Sequence, residues 1–230
     1  MKLTYDNAFR AELVDSISKR EFSVRAGVHC SDLIYCLNKA ALRRVMPLPS
    51  TEREVLLFSI GWATQRWLTG KPDDEDTIEV DGIQVTPDAC WDGNPWELKA
   101  TYTSSDRSIL ENDSWVKQIM AQCYVTKTLT ARLSRLELMG NWRSIFGSKD
   151  EKKLAINQKP ALSAWKFEFA QDELSINWTY LLSRKTLFEE LIKNPQQLLQ
   201  KNLALPVGHE FECEQCAEPY RNLCEGKTKW

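Results

Sequence analysis

The sequence predicts one α/β domain built of packed layers. Segments with helical periodicity come first, and strand-like segments then alternate with two further helices, an order typical of α/β layer structures. A length of 230 residues suits a single domain with its own core. The composition, 43% hydrophobic and 27% charged, is that of a globular protein. We therefore treat residues 1–230 as one domain.

Three helices are predicted in the first third of the chain. Phe9, Leu13 and Ile17 recur at steps of four, the spacing of an amphipathic helix. Ser31 is a residue type that caps helix N-termini, and Pro47 would end the helix that it begins. The predicted helices cover residues 7–20, Ser31 to about Arg44, and 52–68.

The rest of the chain predicts strands and two more helices. Residues 77–86 alternate and are rich in β-branched side chains, and Asp81-Gly82 is a typical hairpin turn. The other predicted strands cover residues 95–101, 135–142 and 163–170, and the predicted helices cover residues 113–128 and 176–193.

Charge and hydropathy limit the partners. The net charge of -2 and the pI near 5.9 give no bulk attraction for nucleic acid, so any DNA contact must come from local patches. The N-terminus lacks the apolar run of a signal peptide, and no apolar stretch approaches the roughly 18 residues of a membrane span. We expect a cytoplasmic protein with no membrane partner.

One short stretch carries the arrangement of a catalytic centre. Asp88 ends one strand, and Glu97-Leu98-Lys99 lies in the next. Side chains alternate in a strand, so Glu97 and Lys99 share one face while Leu98 faces the core. Two acids and a base at one place suit a divalent metal ion and a phosphate. Taken alone, the tripeptide is a weak signal, because most such arrangements are surface ion pairs on a strand.

Seven cysteines form a second pattern. Cys213, Cys216 and Cys224 cluster near the C-terminus, and the two-residue gap between the first pair is a metal-chelating interval. A fourth ligand must come from elsewhere, and three residues are candidates: Cys36, Cys30 and His209. With His209 the site would be a zinc site of three thiolates and one imidazole.

These residues resemble a known nuclease family. Asp88, Glu97 and Lys99 resemble the Asp...Glu-x-Lys core of the PD-(D/E)XK nucleases, and Gln118 resembles the glutamine on the next helix in the RecB-like branch. Residues 31–39 and 219–224 resemble the two ends of RecB-like nucleases that carry an iron-sulfur cluster, such as the CRISPR-associated Cas-four nucleases.

The resemblance implies a restriction-endonuclease-like fold, a central mixed sheet flanked by helices. It implies that Cys36 joins the three C-terminal cysteines around a 4Fe-4S cluster, which would connect residues 30–46 to residues 206–226. It also implies an exonuclease that acts on DNA and prefers single-stranded ends, with CRISPR adaptation proteins or other DNA-processing proteins as partners. Mg²⁺ or Mn²⁺ would be held by Asp88, Glu97, the Leu98 carbonyl and Gln65, and the catalytic residues would be Asp88, Glu97, Lys99 and Gln118.

The sequence departs from the family pattern at three places. Gln65 stands where the family commonly has a metal-binding histidine, Gln122 stands where a tyrosine usually follows the helix glutamine, and the gap from Cys216 to Cys224 is longer than usual. The first departure keeps a second hypothesis open, a feeble or inactive DNA-binding or assembly subunit of the same fold. A third hypothesis, from another class, is a zinc-stabilised interaction module.

Minor predictions concern the remaining thiols and imidazoles. Cys90 and Cys123 are expected to be buried small hydrophobes. Cys30 is expected to be a spare thiol, with cluster ligation as the minority interpretation. His29 and His209 are expected to be hydrogen-bonded structural residues.

Overall fold

The protein is described from a computed structural model. The structure describes residues 4, 6–21, 26–70, 77–101, 108–138, 160–196, 216 and 220–221. Two of the four predicted cluster ligands, Cys213 and Cys224, lie outside these residues, as does His209.

Six helices and six strands make up the described part of the chain, with a 3-10 turn at Ile109–Glu111. The helices are α1 (Asn7–Glu21), α2 (Cys30–Ile34), α3 (Leu37–Val45), α4 (Glu52–Thr69), α5 (Asp113–Thr126) and α6 (Gln171–Lys193). The strands are β1 (Ile78–Val80), β2 (Ile83–Val85), β3 (Ala89–Trp91), β4 (Asn94–Thr101), β5 (Thr130–Glu137) and β6 (Ala161–Glu168).

The main sheet has the strand order β3-β4-β5-β6 and is mixed. β4 and β5 are parallel and are joined through α5, whereas the β3–β4 and β5–β6 pairs are antiparallel. Parallel neighbours require a crossover connection, and α5 supplies it. The predicted fold class, an α/β domain with a central mixed sheet flanked by helices, is confirmed.

The first four strands form two tight hairpins. β1 and β2 pair around Asp81-Gly82, and β3 and β4 pair around Asp92-Gly93. All four turn residues have positive φ, between 50° and 72°, which type I′ turns require and Asp-Gly pairs adopt readily. The predicted hairpin turn at Asp81-Gly82 is confirmed.

Two hydrophobic clusters position α5. One joins α2, α3, β2, α5 and α6 through side chains such as Leu33, Ile83, Ala121 and Phe188. The other joins α5, β5, β6 and α6 through Ile119, Leu133, Phe167 and Leu174. Because α5 contributes to both clusters, its rotation about its own axis is fixed, and so is the face that carries its glutamines.

The predicted helix from Ser31 to Arg44 is wrong in two respects. The N-cap is His29, whose backbone N–H donates to Asp32 Oδ2 at 3.1 Å. The helix then breaks at Tyr35 and resumes with Cys36 as the N-cap of α3. Arg184 on α6 explains the break, because its guanidinium donates to the carbonyl oxygens of Leu33 and Tyr35, which a broken helix leaves without partners.

Two strand boundaries also differ from the prediction. β5 begins at Thr130, five residues before the expected start at Arg135, because α5 ends at Lys127 in the left-handed conformation and the chain turns at once into the sheet. The expected part beyond residue 138 lies outside the described residues. β6 is shifted two residues towards the N-terminus relative to the prediction.

None of the helices that the structure describes combines the length and the apolar character that a membrane span requires.

Candidate active site

Asp88 lies where the first strand of the β3–β4 hairpin begins. The ladder ends with the pair Ala89–Trp96, so Asp88 is the next residue outwards and stands across from Glu97. Its Oδ2 accepts a hydrogen bond from the backbone N–H of Leu98 at 2.7 Å. The Asp88 carboxylate thus accepts the Leu98 N–H in place of a backbone carbonyl, which fixes Asp88 beside β4.

Glu97 and Lys99 form an ion pair on one face of β4. The Lys99 Nζ contacts Glu97 Oε1, as expected for side chains two residues apart on a strand. Glu97 is 1% exposed, and the Lys99 side chain is 18% exposed. Leu98, between them, is buried on the other face. The acid is therefore enclosed, and the base lies at the edge of the enclosure.

Two glutamines of α5 hold the two members of this pair. Gln118 Oε1 accepts a hydrogen bond from Lys99 Nζ at 2.9 Å. Gln122 is fully buried, and its Nε2 donates to Glu97 Oε2. Residues four apart lie on one face of a helix, so a single helix face orients both charges.

The charges of the site shift the pKa of its neighbours. Burial alone would lower the pKa of Lys99, but the negative charge of Glu97 outweighs that effect and raises it, and Tyr35 and Asp88 add to the rise. Lys99 is therefore protonated at neutral pH. Burial, together with the negative charges of Glu97 and Asp32, raises the pKa of Cys30 to about 12, so this thiol is also protonated at neutral pH.

The donor set fits a hard divalent cation. Asp88 and Glu97 contribute two carboxylates and Lys99 one positive charge, so the group carries a net negative charge that a cation would neutralise. Gln122 Oε1 is buried without a hydrogen-bond partner among the residues that the structure describes. This oxygen could therefore accept a hydrogen bond from a bound water. The described residues contain no group of three or more His, Cys, Asp or Glu side chains placed to hold a metal ion, so a metal ion at this site would need backbone, amide or substrate oxygens to complete its coordination.

Gln65, the fourth expected metal ligand, lies half-buried on α4, a helix that packs against β4. Its backbone oxygen accepts a hydrogen bond from Thr69 Oγ1 at 2.8 Å. No hydrogen bond within the described ranges joins its side chain to Asp88 or Glu97. The helix is placed beside the site, while the ligand role of Gln65 stays a prediction.

Residues from the N- and C-terminal parts of the chain pack into one hydrophobic cluster. Cys216 is half-buried and packs against the hydrophobic cluster to which Leu37, the residue after Cys36, belongs. Tyr220 is buried in the same cluster, and its hydroxyl accepts a hydrogen bond from the Leu48 N–H at 2.8 Å. Two of the expected cluster ligands are thus carried by segments that pack into one core. The cluster itself stays a prediction.

The remaining cysteine and histidine predictions have mixed outcomes. Cys123 is fully buried, as predicted. Cys90 is exposed, which contradicts the prediction, because β3 is an edge strand with no layer over that position. His29 is hydrogen-bonded, with its Nε2 3.0 Å from the Ala26 carbonyl oxygen.

Comparison with known proteins adds a shared fold. No protein-family model and no curated protein sequence matches the chain. The crystal structure of SSO0001 superposes with a TM-score of 0.53 at 12% identity, covering 91% of this chain and 93% of that chain. At this identity the similarity concerns the fold alone, and it extends over nearly the whole length of both chains.

Two further solved structures are less similar. A phage-related exonuclease from Haemophilus somnus 129PT superposes with a TM-score of 0.48 at 10% identity, covering 75% of this chain and 97% of that chain. An alkaline exonuclease, LHK-Exo, from Laribacter hongkongensis superposes with a TM-score of 0.42 at 12% identity, covering 74% of this chain and 92% of that chain.

The structure therefore brings together Asp88, Glu97, Leu98, Lys99 and Gln118. Sequence reasoning noted Gln122 only as a departure from the family pattern and missed that it binds Glu97. The signal was present, since Gln122 lies four residues after Gln118 and so shares its helix face.

Proposed function

We propose that the protein is a metal-dependent DNA nuclease that hydrolyses phosphodiester bonds. The observation that carries the proposal is the convergence of Asp88 and Glu97 with Lys99 at the β3–β4 hairpin. Two facing carboxylates repel each other unless a cation joins them, so their adjacency is better explained by metal binding than by packing.

Different residues of the site bind the metal ion and stabilise the developing charge. Asp88, Glu97 and the Leu98 carbonyl would hold Mg²⁺ or Mn²⁺, which supplies Lewis-acid polarisation of the phosphate and a nucleophile at neutral pH. Lys99, protonated at neutral pH, stabilises the negative charge that develops on the scissile phosphate. Gln118 keeps the Lys99 ammonium in place because its Oε1 accepts a hydrogen bond from Nζ.

The substrate preference is a finer proposal. We propose exonuclease action on single-stranded DNA ends, and this rests on the resemblance to RecB-like nucleases. A cytoplasmic location is proposed as well, on separate grounds. Partners in CRISPR adaptation or other DNA processing rest on the same resemblance.

A cleavage assay with matched carboxylate variants tests the proposal. Single-stranded DNA is incubated with Mg²⁺ or Mn²⁺ and wild type, Asp88→Asn, Glu97→Gln or the control Asp92→Asn. Asp92 is an exposed turn residue with positive φ, where asparagine is well tolerated. We expect a loss of about a hundredfold or more for the first two variants and none for the control. If wild type and Asp88→Asn degrade single-stranded DNA at equal rates, the proposal is refuted.

An iron-sulfur cluster held by Cys36, Cys213, Cys216 and Cys224 is a separate proposal. It is supported by the packing of Cys216 and Tyr220 into the core that contains Leu37. Protein purified without air should be brown and contain iron, and Cys36→Ala should lose that iron. Cys90→Ala, which changes an exposed thiol on β3, should keep it. Colourless wild-type protein with stoichiometric zinc would favour the zinc-stabilised interaction module instead.

A second candidate function is a feeble or inactive DNA-binding or assembly subunit of the same fold. It is favoured by the glutamine at position 65 and by the full engagement of Glu97, whose two oxygens contact Lys99 and Gln122. DNA binding without cleavage in either metal would select this candidate.

A further inference from the structure

A second acid and base pair lies beside the catalytic one. In the parallel β4–β5 ladder, Lys99 is in register with Arg135, and Thr101 is in register with Glu137. Side chains of paired residues project from the same face of a sheet. Arg135 therefore stands next to Lys99, one strand spacing of about 4.8 Å away in the backbone.

This second pair is buried and incompletely satisfied. The side chains of Arg135 and Glu137 are 10% and 9% exposed, and Arg135 Nη2 lies 2.6 Å from Glu137 Oε1. Arg135 Nε has no hydrogen-bond partner among the described residues, and the contact with Glu137 Oε1 lacks the alignment of a hydrogen bond. The guanidinium also lies over the Trp165 ring, 5.3 Å from its centroid.

A purely structural role explains this arrangement poorly. Burying a charged pair is costly because both ions lose their hydration, and apolar residues of similar volume stabilise a core equally well or better. A buried N–H left without an acceptor adds a further cost, because it has lost its hydrogen bond to water and gained none. An anionic oxygen from a ligand would supply the missing acceptor.

We infer that Arg135 binds a phosphate group of the DNA substrate, next to the phosphate on which Lys99 acts. The planar guanidinium is suited to phosphate, and its free Nε points to one unfilled interaction. Arg135 lies in the second half of β5, towards the carboxyl ends of the two parallel strands, where α/β sheets bind ligands. Glu137 holds the guanidinium in position in the free protein. This inference rests on the proposed function, because it takes DNA as the ligand.

A charge-neutral double substitution tests this contact. Arg135→Met/Glu137→Leu removes one charge of each sign, so the net charge and the long-range field stay nearly constant. Binding of a fluorescein-labelled oligothymidylate is followed by fluorescence anisotropy in EDTA, where no cleavage occurs, over a range of salt concentrations. We expect about a tenfold weaker affinity and a salt dependence reduced by about 0.7 in log-log slope, the value for one phosphate contact on a single strand.

The matched control uses the opposite face of the same strand. Arg132 is three residues before Arg135 and pairs with the exposed Asp92. Arg132→Met/Asp92→Asn should leave the affinity and the salt slope unchanged. Equal losses in both double variants, or unchanged binding in the Arg135 variant, overturn the inference.

Two further outcomes separate this inference from the proposed function. Wild-type protein that binds the oligonucleotide but never cleaves DNA refutes the nuclease proposal. The Arg135 contact is then still decided by the affinity and the salt slope of the double variant. Wild-type protein that fails to bind overturns the inference. If the double variant does not fold, Arg135→Lys replaces it, since lysine keeps the charge but loses the Nε donor. Severalfold weaker binding supports the contact, and unchanged binding refutes it.

Discussion

Gln122 offers a sensitive test of the site, because it donates its hydrogen bond to a buried charge. Its Nε2 donates to Glu97 Oε2, and both residues are at most 1% exposed. A hydrogen bond to a charged group contributes about 1.5–3 kcal/mol. The Gln122→Leu substitution also removes Oε1, which has no hydrogen-bond partner in the described part of the chain, and that removal offsets some of the loss.

We expect Gln122→Leu to lower the free energy of unfolding by about 2 kcal/mol. For a chain of this size the shift in Tm would be roughly 4–8 °C. The carboxylate that loses its orienting donor should also bind Mn²⁺ about 10–100-fold more weakly, as happens when residues that orient metal ligands are replaced. Thermal unfolding and titration calorimetry measure the two effects separately.

A double-mutant cycle isolates the charged hydrogen bond from the Oε1 contribution, because that contribution is the same in both backgrounds. In Glu97→Gln protein, Gln122→Leu should cost about 1 kcal/mol less than in the wild-type background. Asn177→Leu is the matched control, since Asn177 is a buried amide that donates to a neutral acceptor, the Lys117 carbonyl oxygen, at 3.0 Å. Its cost should be equal in both backgrounds. Equal costs for Gln122→Leu would refute the reasoning.

Two other predictions concern α4. Burial opposes the ionisation of Glu54, but the hydrogen bond from the Thr51 N–H and the charges of Arg43 and Lys39 outweigh it and lower the pKa of Glu54. The unfolded chain therefore binds more protons, so this stabilisation is present above about pH 4.3 and is lost as the pH falls through the lower folded-state pKa. Urea unfolding between neutral and acidic pH should show a weaker acid dependence in Glu54→Gln. Gln65→His should tighten Mn²⁺ binding in calorimetry, and an unchanged affinity would place this position away from the ion.

The sequence was sufficient to predict features that depend on local periodicity. The alternation of Glu97 and Lys99 placed both side chains on one strand face, and the structure pairs them. Gln118 could be assigned to a helix, and Asp81-Gly82 to a hairpin turn, because these signals span only a few residues, whereas the position of Gln118 beside the strand was implied by the family resemblance.

Features set by distant residues could not be predicted. The helix break at Tyr35 depends on Arg184, which is 149 residues away along the chain. The exposure of Cys90 depends on β3 being an edge strand, which is a property of the strand order and not of its own sequence. The bond from Gln122 to Glu97 required knowing how α5 is rotated, which the two hydrophobic clusters determine.

The contact between Arg184 and the broken N-terminal helix has a consequence for synthesis. Arg184, which donates to the carbonyl oxygens of Leu33 and Tyr35, is synthesised about 150 residues after them. At 5–20 residues per second, translation of that segment takes roughly 8–30 s. During that interval α2 and α3 lack the helix against which both pack. Their apolar faces are then available to chaperones, and a nascent chain stalled before α6 should be far more sensitive to protease at residues 30–45 than the released protein.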